Sequence, residues 1–169
     1  MTRTARIDSF DPLVVRLRAA GCVFAEEEAE LLMDAASSPE VLESMAVRRV
    51  AGEPLEQVVG WAEFAGLRIL LDPGVFVPRR RTEFLVSVAL GLPLDPAPVV
   101  VDLCCGSGAV GAALLSALPG CDLYAADIEP AGVAIARRHH PPTPEIEGDQ
   151  VGPRPAPQRR RHNEQAPTH

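Results

Sequence analysis

The stretch Val99-Val100-Val101-Asp102-Leu103-Cys104-Cys105-Gly106-Ser107-Gly108-Ala109-Val110-Gly111 decides the fold. Three consecutive valines read as a fully buried strand, and Asp102 sets a carboxylate near its tip. Gly106 and Gly108 let the backbone turn sharply and approach a ligand with no Cβ in the way. Ala109 to Leu118 reads as the helix after that turn, with Gly120 as its stop. A second strand, Leu123 to Ala126, ends at Asp127, 19 residues after Gly108. Strand, glycine turn, helix and acid-tipped strand together describe the nucleotide end of a doubly wound α/β sheet. Such an end is built around a small adenosine-containing cofactor.

The identity of that cofactor is a fork. Gly106-x-Gly108-x-x-Gly111 also satisfies the dinucleotide fingerprint, a weak pattern when taken alone. Asp102 discriminates, because a dinucleotide sets its pyrophosphate over the turn, where a nearby carboxylate repels it. S-adenosylmethionine carries no phosphate; its sulfonium and ammonium are attracted by a carboxylate at the strand tip. Asp127 would accept hydrogen bonds from the ribose hydroxyls, a role shared by both cofactor classes. A dinucleotide site, or a turn that merely joins strand to helix, remains the alternative.

At 169 residues and 47% hydrophobic, the chain has room for one domain, or one domain with a small appendage. No run approaches the roughly 18 apolar residues of a membrane span, and the first residues lack the apolar segment of a signal peptide. A cytoplasmic protein with no membrane partner is expected. All 16 basic residues are arginine, which excludes lysine-based catalysis. A net charge of −7 argues against broad contact with a nucleic-acid backbone. Cys22, Cys104, Cys105 and Cys121 show no CxxC spacing and read as free thiols. His139-His140 and His162 have no partners at ligand spacing, so no metal site is expected.

Residues 10–52 read as a helical piece. Asp11-Pro12 opens a first helix ending at Gly21, Glu26 to Ala36 forms a second, and Ser38-Pro39 opens a third that Gly52 and Pro54 end. Short amphipathic helices of this kind must pack together, either as scaffold or as a substrate-docking surface. Residues 53–98 read as a hairpin and a connecting helix. Leu67 to Leu71 and Val75 to Val77, joined through Asp72-Pro73-Gly74, are the expected strands. Trp61 and Phe64 pack on them rather than stack on a ligand. Pro78-Arg79-Arg80-Arg81-Thr82-Glu83 leads into a helix with Leu85, Val86, Val88 and Ala89 inward. Its arginines are either a solvated run or the mouth of a site, with Pro78, Arg79 and Glu83 framing the entrance. Residues 99–138 form the cofactor-binding part. Residues 139–169 hold 7 of the 17 prolines and show no period of 2 or 3.6, so a disordered tail is expected.

With these segments in hand, the chain resembles the HemK-type protein-glutamine methyltransferases, closest to their actinobacterial forms, over roughly residues 10–138. Gly52-Glu53-Pro54-Leu55, then Gly60 and Glu63-Phe64, match that family's segment before its hairpin. Val77-Pro78-Arg79-Arg80-Arg81-Thr82-Glu83 is similar to its Ile-Pro-Arg-Pro-Glu/Asp-Thr-Glu motif, with Arg80 and Arg81 as departures. Val101-Asp102-Leu103-Cys104-Cys105-Gly106-Ser107-Gly108 is similar to its Leu-Asp-Leu-Gly-Thr-Gly-Ser-Gly loop, with Cys104 where a glycine is usual. Ala126-Asp127-Ile128 fits its ribose-binding acid. The resemblance implies an α/β fold: a small N-terminal helical domain, a β-hairpin, then the first part of a Rossmann-like class I methyltransferase sheet. It implies S-adenosyl-L-methionine held by Asp102, Cys104, Cys105, Gly106, Ser107, Gly108 and Asp127. It also implies a protein partner, a peptide chain release factor methylated on a glutamine side-chain amide.

That chemistry needs more than a cofactor, because an amide lone pair is delocalised and nucleophilically poor. The family is expected to hold the amide with an Asn-Pro-Pro-Tyr motif after a later strand, so that positioned acceptors supply the rate. No such motif occurs here: Pro141-Pro142 follows His140, and the only asparagine is Asn163. A truncated, weak or inactive methyltransferase is therefore expected, poorly soluble for want of strand partners. Glu147-Gly148-Asp149 resembles the family's next acidic segment, and a change of reading frame near Asp149–Gln150 would account for the Pro/Arg/His-rich text after it; sequencing the locus tests this. The rivals are a non-catalytic remnant that binds a partner protein and a dinucleotide-dependent oxidoreductase.

Overall fold

The computed structural model describes residues 3–139. It opens with four helices, α1 (Arg3–Ala19), α2 (Ala25–Ala35), α3 (Pro39–Val50) and the short α4 (Leu55–Val59). A hairpin of β1 (Trp61–Phe64) and β2 (Leu67–Leu70) follows, then a 3₁₀ turn at Arg80–Thr82 and α5 (Glu83–Leu90). The chain closes with β3 (Val99–Leu103), α6 (Ala109–Ala117), β4 (Asp122–Ala126) and α7 (Pro130–His139).

The helical piece has its own core, centred on Leu17, Ala25, Ala29, Leu32, Leu42 and Ala46, with Val58 of α4 packed into it. Ser38 caps α3, its Oγ accepting from the Val41 N–H at 3.3 Å, and Pro39 fills the first helical position. Arg49 of α3 grips Glu28 of α2 through two bonds, 2.6 Å from Nε and 3.0 Å from Nη2. Both side chains are largely buried, so the pair ties the two helices more firmly than an exposed ion pair would.

Several expectations are corrected. The first helix does not start at Asp11-Pro12; it runs from Arg3 with Pro12 inside it. Proline forfeits one N–H, and a helix this long carries the loss through its remaining bonds. The hairpin lies one strand earlier than expected: β1 pairs antiparallel with β2, Trp61 opposite Leu70 and Phe64 opposite Leu67. Its turn is Ala65-Gly66, both with positive φ (50° and 75°), the backbone that matches the twist of a two-residue hairpin. Val75 to Val77 is not a strand, although Val75 is buried. In α5 only Val86 is buried, whereas Leu85 and Val88 face solvent because this short helix meets α6 along one narrow face.

β3 and β4 pair in parallel, Val99 opposite Asp122 and Leu103 opposite Ala126, with α6 as the crossover. One face of this pair carries Val100 and Leu123 towards the helices. The other face is open: Val99, Val101 and Leu103 are 65%, 53% and 71% exposed, so β3 is not the fully buried strand the valines imply. A parallel sheet is buried only when layers cover both faces, and among the described residues only one is covered. Among these residues β3 also has β4 as its sole strand neighbour. No described helix is long and apolar enough to cross a membrane. His139, expected to open the tail, instead closes α7; the expectations for residues 140–169, those for His140, His162 and Glu147 to Gln150 among them, fall outside the described residues.

Candidate functional site

β3 and β4 end side by side, and the chain leaving β3 bends across their tips before entering α6. The bend requires left-handed backbone at Cys104 (φ 58°), Gly106 (52°) and Gly108 (75°). A Cβ at Gly106 would meet nothing within 4 Å, so this part of the turn borders open space. Gly108 is the residue that caps α6, and its N–H returns to the Cys105 carbonyl at 2.7 Å.

Two strand-tip carboxylates brace the bend. Asp127 reaches back from β4, its Oδ2 accepting the Gly106 N–H at 2.7 Å and its Oδ1 the Glu129 N–H at 2.9 Å. Asp102 Oδ2 accepts the Gly111 N–H at 3.2 Å. Gly111 lies in the first turn of α6, where backbone donors lack helical partners, so Asp102 caps the helix from the neighbouring strand. Sequence reasoning assigned both acids to the ligand and missed this internal duty, which only the three-dimensional bend makes possible.

The bend lines a cavity of about 280 Å³ whose wall includes Asp102, Cys104, Cys105, Gly106, Ser107 and Asp127. Pro78 and Arg79 come to the same wall, with Phe64 and Phe76. The Arg79 guanidinium lies 5.3 Å from the Phe76 ring centre, within cation–π range. Two residues named from sequence are elsewhere. Gly108 caps α6 outside the cavity wall, and Glu83, at the start of α5, accepts the Ala65 N–H of the hairpin turn at 3.1 Å. A wider groove of about 1220 Å³ adjoins the cavity and shares Phe76, Pro78 and Arg79 with it.

Two carboxylates, Asp102 and Asp127, share the cavity wall with the Arg79 guanidinium. Burial pushes the Asp102 carboxyl above its usual range, against the Gly111 hydrogen bond, and the charge of Asp127 pushes it further. The same burial and the same two carboxylates drive the Cys105 thiol up to about 11. Cys105 is thus a neutral thiol at physiological pH, unsuited to nucleophilic work. Cys104 is exposed, whereas Cys22 and Cys121 are buried; all four are free. No group of three metal-ligating side chains occurs among the described residues.

No family model matches the chain. Individual proteins do. It is 33% identical to the release factor glutamine methyltransferase of Bifidobacterium longum over 148 aligned residues, covering 73% of this chain and 50% of that protein. It is 34% identical to the enzyme of the same name from Burkholderia pseudomallei, covering 82% of this chain and 50% of that protein. Against that from Mycolicibacterium smegmatis the identity is 38%, over 59% of this chain and 36% of the relative. The chain spans about half the length, or less, of these curated relatives. The resemblance drawn from the motifs is thereby borne out: the chain is a homologue of release factor glutamine methyltransferases.

Proposed function

We propose, from this kinship with the release factor glutamine methyltransferases, that the chain binds S-adenosylmethionine in the cavity at the tips of β3 and β4. The observation that carries the reading is the pairing of Asp102 and Asp127 on one wall of that cavity. A buried carboxylate whose pKa is raised by burial and by a second carboxylate gains when a cation arrives. A sulfonium with an ammonium answers that need; a pyrophosphate does not. The cavity is near the lower end of the range for small-molecule sites and continues into the adjoining groove.

In this reading Asp127 keeps its bonds to Gly106 and Glu129 and offers its remaining lone pairs to the ribose hydroxyls. Asp102 faces the cationic end of the ligand, while Gly106 and Ser107 leave room for its close approach. Cys104 and Cys105 complete the wall, with Pro78 and Arg79 at the mouth. The bound group would supply an electrophilic methyl; this chain's residues bind it, orient it and keep it from water.

The proposed acceptor is a glutamine amide of a peptide chain release factor, docked through the helices of residues 10–52, and the proposed setting is the cytoplasm. The catalytic groups are unassigned, because the sequence holds no Asn-Pro-Pro-Tyr. Binding should therefore outlast catalysis: cofactor affinity measurable, methyl transfer weak or absent. Asp127→Ala should weaken S-adenosylmethionine binding by about 1.5–3 kcal/mol, the range for hydrogen bonds to a charged group. Calorimetry on Asp127→Ala and the wild-type chain tests this, and equal affinities would remove Asp127 from the ribose. Mass spectrometry of a glutamine-containing release-factor fragment tests transfer; vigorous methylation would overturn the weak-catalysis reading.

A further inference from the structure

In an antiparallel pair, successive residues of a strand turn their N–H alternately towards the partner and away from it. Leu71 donates to the Gly60 carbonyl at 2.8 Å, so Leu70, one residue earlier and opposite Trp61, turns its N–H away from β1. A half-buried amide turned out of its ladder needs another acceptor. It finds Nε2 of His139, the last residue of α7, at 2.8 Å. Across the same ring, Nδ1 lies 3.0 Å from the backbone carbonyl oxygen of Ser107. An amide can only donate and a carbonyl oxygen can only accept. The two partners therefore demand one form of the ring, the neutral imidazole with its proton on Nδ1.

Ser107 is 3% exposed and belongs to the bend that walls the cavity. We propose that His139 is a positioning residue for that bend: its neutral imidazole fastens Ser107 to the hairpin, and protonation of the ring releases the fastening. The step is a simple proton gain. Nδ1–H still donates to Ser107, but Nε2 acquires an N–H aimed at the Leu70 N–H, and that hydrogen bond becomes a repulsion.

Among the described residues, the ionisable groups on the elements packed at this point lie on α7, β2, the bend and β4, which carries Asp122 and Tyr124. Arg138, beside His139 on α7, is paired with Asp72 just beyond β2 at 3.1 Å. Arg137 lies on α7 as well, and Arg68 of β2 sits over the Trp61 ring at 4.2 Å. The bend and the strand tips contribute Asp102, Cys105 and Asp127. The fastening holds while the ring is neutral and is lost as pH falls and the ring gains its second proton.

The ligand half of the test rests on the cofactor reading above; the backbone half does not. Exchange of the Leu70 amide and affinity for S-adenosylhomocysteine are measured at about pH 8 and about pH 5.5. The 169-residue chain is compared with His139→Gln, whose amide offers a donor and an acceptor without titrating, and with His139→Ala. After correction for intrinsic exchange, Leu70 protection in the wild type should fall about tenfold on acidification, the worth of one ordinary hydrogen bond. S-adenosylhomocysteine affinity should fall in parallel. His139→Gln should be flat in both, which separates His139 from His140, His162 and His169, and His139→Ala should leave Leu70 unprotected at both pH values. The same pH profile in wild type and His139→Gln, or full Leu70 protection in His139→Ala, would overturn the proposal. Absence of S-adenosylhomocysteine binding even at pH 8 would count against the cofactor reading, and Leu70 exchange would still decide the role of His139.

Discussion

Cys104 carries a side chain where the backbone has turned left-handed, a conformation that costs an L-residue roughly 1–2 kcal/mol. Cys104→Gly should be neutral or stabilising in denaturant unfolding, since relief of strain offsets glycine's extra chain entropy, and Cys104→Val should be destabilising by about 1 kcal/mol or more. Equal stabilities for the two variants would mean the bend is not strained there. Its neighbour differs in reactivity: with Cys105 driven up to about 11 and half-buried, alkylation at neutral pH should mark exposed Cys104 first. Asp102 gives a pH argument with a definite sign. Its folded-state pKa is raised, so between the ordinary carboxyl value and the raised one the folded state holds the extra proton, and stability falls as pH rises. Asp102→Asn, which still offers an oxygen to Gly111, should therefore stabilise the unliganded chain at neutral pH while weakening S-adenosylmethionine binding. Thermal melts with and without ligand would check both halves. The acids were legible in the sequence as strand-tip carboxylates; their backbone partners were not, because those bonds join positions 9 and 21 residues apart across a bend.

At the scale of elements, α7 meets the bend through Gly132, where an added Cβ would stand 3.0 Å from the Gly106 carbonyl oxygen and 3.5 Å from Asp127 Cγ. Helix propensity favours alanine over glycine by about 1 kcal/mol, yet the backbone carbonyl must yield to make room. Gly132→Ala should therefore lower the melting temperature and loosen ligand binding; a rise in both would show that α7 does not press on the bend. In the helical piece, Glu28→Ala should cost about 1.5–3 kcal/mol by stranding the largely buried Arg49, as read by urea unfolding. The second and third helices, the glycine bend and both strands of the parallel pair were legible because each carries its own cap, period or punctuation. The hairpin was misread because Asp72-Pro73-Gly74 is a louder turn signal than Ala65-Gly66, and the choice depends on Phe64 and Ile69 being buried in a shared core. α4 and α7 were missed for a similar reason: their apolar residues show no long stripe, and Val58 and Ile135 are fixed by tertiary packing.

Among the described residues, three apolar clusters are well formed while one face of the parallel pair lies open, with Val99, Val101 and Leu103 towards solvent. Phe84, Leu85 and Val88 of α5 are exposed as well. An apolar, β-branched strand with one edge unpaired among the described residues favours association with further copies, so the chain should self-associate as concentration rises. Val101→Lys should shift sedimentation towards monomer, and no change would mean that another surface drives association. In the cavity two carboxylates and a glycine bend converge beside Arg79 and Phe76. Calorimetric titration of the 169-residue chain with S-adenosylhomocysteine and, separately, with NAD at the same pH decides which cofactor this cavity takes. The expected result is saturable one-to-one binding of S-adenosylhomocysteine, weakened in Asp127→Ala, with no heat from NAD. Binding of NAD in its place, or no binding of S-adenosylhomocysteine by the folded chain, would contradict it.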